Sequence, residues 1–114
     1  REEQKKIEKD TYSERIKNST NHTKLVVLSI LKAQTGMTGE VYDIYISLCK
    51  IIEQDTLTQR RITQIVSELD QLGLITSNVV SHGRYGRSQI IKIAVSSNTI
   101  IEALKDDTYL STLL

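Results

Sequence analysis

Apolar residues recur at spacings of three and four from about residue 25 to residue 69 and at spacings of two after residue 74, which predicts helices first and a hairpin later. Ser19 or Thr20 caps a first helix whose stripe is Leu25, Val27, Leu28, Ile30 and Leu31, running to about Ala33, and Gln34 to Met37 with Gly36 closes it. Thr38 caps a second helix bearing Val41, Tyr42, Tyr45, Leu48, Cys49 and Ile52, ended by Gln54-Asp55-Thr56. Thr58 opens a third, with Ile62, Ile65, Val66 and Leu69 on one face and Leu72-Gly73 as the stop, since glycine accepts the left-handed conformation that follows a helix end. Arg60, Gln64, Ser67 and Gln71 fall opposite that face.

Leu74 to Val80 reads as a strand, His82 to Arg87 as a turn, and Ile91, Ile93 and Val95 alternate with Lys92 and Ala94 in a second strand. Ser96 or Ser97 then starts a last helix with Ile100, Ile101 and Leu104 inward, and Thr99 with Glu102 fits a capping box slightly later. The order helix, helix, helix, hairpin, helix is that of a winged helix-turn-helix, mainly α with a small β-hairpin. Residues 1–18 hold six bases and five acids with only Ile7, Tyr12 and Ile16 as apolar anchors, which reads as a solvated N-terminal helix or linker. The division expected is therefore 1–18 for this segment, 19–107 for the winged-helix domain and 108–114 for a C-terminal tail.

Composition narrows the chemistry. At 114 residues the chain is too short for two domains, and with five Tyr but no Trp or Phe its core must be aliphatic. Lys+Arg 15 against Asp+Glu 14 gives a net charge of +1, so any basic surface must be local. The single Cys49 forms neither an internal disulfide nor a zinc site, and its place among apolar positions of the second helix reads as a buried, inert thiol. No apolar run is long enough for a bilayer and no signal-peptide pattern opens the chain, so a soluble, cytoplasmic protein is expected, with no membrane partner. The lack of a starting Met suggests a piece of something longer. No GxxxxGK[ST], HExxH, GxSxG or Cys/His cluster occurs, so no enzyme activity and no metal or cofactor is expected of these residues. His22, near the first helix start, reads as a capping or packing residue.

A local positive feature does exist. Between Asp70 and Glu102 there is no acid, yet the stretch holds His82, Arg84, Arg87 and Lys92, while Arg60 and Arg61 lie in the first turn of helix three, where backbone N–H groups and the helix dipole suit phosphate. Gly83 and Gly86 allow a tight wing turn and close approach to a groove wall. Two readings stand: the arginines keep an exposed hairpin soluble, or they contact DNA. The GRYG string also matches the GxxG of KH domains, but there it joins two helices and here two strands.

Taken together, Asn21-His22-Thr23-Lys24-Leu25-Val26-Val27-Leu28, Thr38-Gly39-Glu40-Val41-Tyr42, Leu57-Thr58-Gln59-Arg60-Arg61, Glu68 to Ile75 and Ser81-His82-Gly83-Arg84-Tyr85-Gly86-Arg87 resemble the C-terminal winged-helix domain of archaeal replication initiators, relatives of the eukaryotic origin recognition complex and cell-division-control helicase loader. The likeness runs from about residue 20 to 107; residues 1–18 resemble the end of the preceding ATPase lid region. His82, where the family often has a small or basic residue, and Thr20, near which it frequently has Pro, depart from the pattern. The resemblance implies duplex DNA binding at replication origins, with helix three in the major groove and the wing in the minor groove. Its contacts would be Gln59, Arg60, Arg61, Thr63, Gln64, Arg84, Tyr85 and Arg87. It also implies an upstream ATPase module in the parent chain that binds ATP and Mg, and partners that include the replicative helicase and other initiator copies, the isolated domain being a monomer. The alternative is a protein-interaction winged helix recruiting the helicase, docking through Tyr12, Tyr109, Leu110, Leu113 and Leu114. A transcription regulator that dimerises through long terminal helices is a third reading.

Overall fold

The computed structural model describes residues 12–114 apart from 82, 84–86, 106 and 109, with the side chains of Ser81, Arg87 and Ser88 also outside the description. Its elements run α1 (Asn21–Lys32), α2 (Thr38–Ile51), α3 (Gln59–Gln71), β1 (Ile75–Ser81), β2 (Arg87–Ile93), α4 (Ser97–Leu104) and a 3₁₀ turn (Ser111–Leu113), and residues 12–17 are helical as well. This is a winged helix-turn-helix, with β1 and β2 antiparallel in a register from Ile75 opposite Ile93 to Ser81 opposite Arg87.

Local sequence sets most helix ends. Thr20, Thr58 and Ser96 each accept a hydrogen bond from the backbone N–H three residues on, at Thr23, Arg61 and Thr99, satisfying donors that the first helical turn leaves free. After α3, Gly73 takes φ +79°; its N–H bonds Asp70 O and the Leu74 N–H bonds Leu69 O, closing the helix with Leu69 and Leu74 both buried.

Several expectations need correcting. α1 is not striped: Leu25, Val26, Val27, Leu28 and Ile30 are all buried, and Ser29 satisfies its hydroxyl within the core by donating to Leu25 O at 2.7 Å. Leu31, placed in that stripe, is only half-buried. Thr38 does not cap α2; Met37 occupies that position without a side-chain bond, and the Thr38 hydroxyl donates instead to Gln89 O on β2. The capping box expected at Thr99 and Glu102 does not start α4, because Thr99 lies inside the helix, its hydroxyl 2.8 Å from that of Ser96, which is the cap. Ile101 is 40% exposed because the inward face of α4 is Ile100, Ala103 and Leu104, and one residue's step rotates a side chain off that face. Val95 lies past β2, which ends at Ile93, although the Ala94 N–H still donates to Leu74 O.

Gly36 does not stop α1, which ends at Lys32 with Ala33 as its cap. It is buried at φ +79°, and its carbonyl accepts the Ile91 N–H at 2.7 Å while Met37 bridges Ile90, so the turn before α2 flanks the wing like a third strand. A Cβ there would sit 2.5 Å from Ile91 O, which explains why glycine occupies the position.

Both ends of the described segment pack on the domain. Ile16 is in the core, Ser13 donates to Thr99 O at 3.0 Å, and Lys24 pairs with Asp107 at 3.1 Å. Leu110 and Leu113 are core residues, so they are not available as a docking surface; Tyr12 is half-buried against the core, Leu114 is exposed, and Tyr109 lies outside the described residues.

Candidate nucleic-acid interface

α3 buries Ile62, Ile65, Val66 and Leu69 and turns Gln59, Arg60, Arg61, Thr63, Gln64, Ser67 and Gln71 to solvent, as its period predicts. Three of these side chains are committed locally: Thr63 Oγ1 donates to Gln59 O at 3.0 Å, and Arg61 Nη1 donates to Gln64 Oε1 at 2.9 Å. The helix thus presents cations and amides at its N-terminal half, where a helix-turn-helix meets the major groove.

Its placement is fixed at both ends by residues outside the helix. At the start, the Leu57 N–H donates to Tyr45 Oη at 3.0 Å, and the same phenol lies 2.7 Å from His22 Nδ1, joining α1, α2 and the approach to α3 at one buried oxygen. Burial pushes the Tyr45 phenol up to about 12, so it stays neutral and keeps both partners. At the far end, Arg15 donates to Leu72 O at 3.3 Å and its guanidinium lies 5.9 Å from the centre of the Tyr12 ring, setting a cation at the negative end of the helix. Periodicity had no means of finding either tie. Arg15 and Leu72 are 57 residues apart, and Tyr45 reads as one more apolar position in its stripe.

The wing follows α3 in the chain. Pairing persists to Ser81 opposite Arg87, so the tip is 82–86, and Gly83 takes φ +65° with open space where a side chain would stand. Arg84, Tyr85, Gly86, His82 and the Arg87 side chain, on which the minor-groove expectation rests, lie outside the described residues; the Arg87 backbone opens β2. The wing's base is anchored by Gly36, Met37 and Thr38, a role the sequence pattern does not reveal. Glu40 fastens that turn in place: its carboxylate accepts from the Thr35 hydroxyl at 2.8 Å and from the N–H groups of Thr35, Gly36 and Gln34. Those bonds, led by the Thr35 hydroxyl, hold its carboxyl below the usual range.

Cys49 is fully buried, and burial pushes its thiol up, away from the thiolate that reactivity requires. Among the described residues no group of His, Cys, Asp or Glu side chains is arranged to hold a metal, and no helix is long and apolar enough to cross a membrane.

A family model described as the CDC6 C-terminal winged helix domain matches residues 14–103. The ORC1-type DNA replication protein 1 of Sulfurisphaera tokodaii is 43% identical over 105 residues, covering 88% of this chain and 26% of that protein. The ORC1-type DNA replication protein of Thermococcus onnurineus is 41% identical over 116 residues, covering 97% of this chain and 28% of that protein. The solved structure of the Aeropyrum pernix Orc1 protein in complex with DNA superposes with a TM-score of 0.88 at 36% identity, over 96% of this chain and 30% of that one. The chain spans less than a third of each of these relatives.

Proposed function

Because the chain belongs to the CDC6 C-terminal winged-helix family, we propose that it binds duplex DNA at replication origins as the C-terminal domain of an initiator and helicase loader. α3 enters the major groove and the wing reaches the minor groove. The observation that carries this reading is the outward face of α3, polar and cation-bearing, pinned at both ends beside a hairpin whose flanking sequence from 71 to 101 has no acid. A helix with its side chains is about 10–12 Å across and matches the roughly 12 Å width of the major groove. That the Aeropyrum Orc1 protein is complexed with DNA supports the same use here.

In this mechanism Arg60 and Arg61 at the start of α3 and Arg84 and Arg87 on the wing neutralise phosphates, and the released counterions make affinity depend on salt. Gln59 and Gln64 face base edges, while Thr63, its hydroxyl turned back on Gln59 O, contributes its methyl group. Tyr85 packs at the groove wall, and Gly83 and Gly86 let the wing tip turn close to it. An arginine in a narrow minor groove reads shape more than base identity.

ATP and Mg belong, on this reading, to an ATPase module elsewhere in the parent protein. The domain acts as a monomer in the nucleoid-containing cytoplasm, and contacts with the replicative helicase or other initiator copies fall to surfaces other than the buried Leu110 and Leu113.

Fluorescence anisotropy with an origin-like and a scrambled duplex, each titrated with salt, tests the reading. Arg84→Ala with Arg87→Ala is expected to weaken binding to both duplexes and to lower the salt slope by about two units, roughly one per phosphate contact. An unchanged slope in a folded variant removes the wing from the interface. Absence of binding at low salt by the folded wild type overturns the function.

A further inference from the structure

Resting on the duplex-binding reading, we propose that Glu68 and Asp70 are positioning residues that hold the C-terminal half of α3 out of the major groove, so that only its first two turns reach the bases. Charge runs backwards along this helix. α1 ends on Lys32, and α2 carries Glu40 in its first turn and Lys50 in its last, the order that complements the helix dipole. α3 has no acid in its first turn and no base in its last: Arg60 and Arg61 stand at its positive end, and Glu68 and Asp70 at its negative end. Each placement opposes the dipole, and a helix that breaks a local rule at both ends is expected where function outweighs stability.

Both carboxylates are exposed, and among the described residues neither enters an ion pair. The cation that closes the helix, Arg15, comes from outside it and bonds the Leu72 carbonyl. At about 100° per residue, Glu68 lies roughly 70° to one side and Asp70 roughly 90° to the other side of the outward line set by Arg60, Gln64, Ser67 and Gln71. A helix about 10–12 Å across fills a groove about 12 Å wide, so its two flanks are what face the phosphate walls. Laid flat along the groove, α3 would set one carboxylate against each wall. Tilted with its start inward, it brings Arg60 and Arg61 to the phosphates and lifts both acids clear. The fold brings the N-terminal half of α3 to the groove, and in this chain charge keeps the other half away. Ser67 and Gln71 share the outward face of Gln64 but stand off the bases.

The test is anisotropy at fixed low salt, on the origin-like and the scrambled duplex, with Glu68→Gln, Asp70→Asn and the double variant. Glu14→Gln is the control, removing one exposed charge outside α3. Gln71→Ala is made in the wild type and in the double variant. All five positions changed or compared, Gln71 included, are exposed, and neutralising the two acids removes charges that oppose the helix dipole, so folded protein is expected throughout. The double variant is expected to bind about tenfold more tightly, with a gain per charge removed well above that of the control. Gln71→Ala, silent in the wild type, is expected to weaken binding by about threefold in the double variant, because its amide then reaches the groove. A change in stability alone does not produce that dependence on background. A gain per charge no larger than the control's, or a Gln71→Ala effect that is the same in both backgrounds, overturns the positioning role while duplex binding stands. Failure of the folded wild type to bind any duplex at low salt overturns the DNA reading and this inference with it.

Discussion

α3 and the wing leave the same core, yet they are held by different means. α3 is held by side chains: an apolar stripe of Ile62, Ile65, Val66 and Leu69, the Thr58 cap, the Tyr45 phenol behind Leu57, and Arg15 at its end. The wing is held largely by backbone: the Gly36 carbonyl on Ile91 N and the Met37–Ile90 bridge, with the Thr38 hydroxyl on Gln89 O and the buried side chains of Ile75 and Ile91 beside them, and beyond these its own ladder. A reading surface held by packed side chains keeps a defined position before DNA arrives. On the duplex-binding proposal, the wing, carried mostly by its own ladder, is the part of that surface with fewer packed side chains.

The sharpest way to break this contrast is Gly36→Ala. The new Cβ meets Ile91 O at 2.5 Å in a backbone conformation at φ +79°, so strain and steric overlap together are expected to cost about 3 kcal/mol in urea unfolding. Hydrogen exchange should show β2 loosening before α3. Equal loosening of both would mean that the two regions share one anchor.

Next in size is the anchor of α3. Tyr45→Phe keeps the ring and its packing but strips the oxygen that accepts the Leu57 N–H and faces His22, with an expected loss of about 1.5 kcal/mol in thermal or urea unfolding. Duplex affinity should fall as well, with the salt slope kept, because the phosphate contacts remain while the helix start is less well placed. Lost stability with unchanged affinity would show that the approach to α3 does not position it.

The turn under the wing carries a pH dependence. The Glu40 carboxyl is held below its ordinary value of 4.5 by the Thr35 hydroxyl and three backbone N–H groups, so its contribution to stability is complete above the unfolded-state value and is lost as pH falls through the lower folded-state value. Glu40→Gln should flatten that part of the acid limb and leave stability at alkaline pH with the shape set by Tyr45, whose raised value makes stability fall as pH climbs above 10. A wild-type acid limb unchanged by Glu40→Gln would remove this carboxylate from the wing's support.

The same division governs what the chain reveals before folding. The order of elements, the outward set Arg60, Gln64, Ser67 and Gln71, and the stop at Gly73 are legible because helix period, caps and left-handed turns are local properties of neighbouring residues. Gly36 misleads as a helix stop because a glycine near a helix end and a glycine required by a passing strand look alike in sequence. Its actual reason is Ile91 O, which only the folded chain brings near. Thr38 misleads in the same way, its hydroxyl drawn from a capping position to Gln89 O. Of the interface, the α3 members can be placed from local pattern. The ties that orient them, Arg15 to Leu72 and His22 to Tyr45, depend on distant segments meeting.

The smallest expected effect separates backbone conformation from its surroundings. Glu53 follows α2 at φ +55°, with its N–H on Lys50 O and the Gln54 N–H on Cys49 O, the same closure that Gly73 makes after α3. Gly36 and Glu53 therefore share a left-handed backbone, but one is packed against a strand and the other is exposed. Glu53→Gly relieves a conformational cost of roughly 1 kcal/mol and returns roughly 0.4–1 kcal/mol through the greater freedom of the unfolded chain, so a net gain of at most about 0.6 kcal/mol in urea unfolding is expected. A clear loss would mean that the Glu53 side chain, and not only its backbone, helps to close α2. The turn into α3 would then be held by side chains on both sides, which widens its difference from the wing.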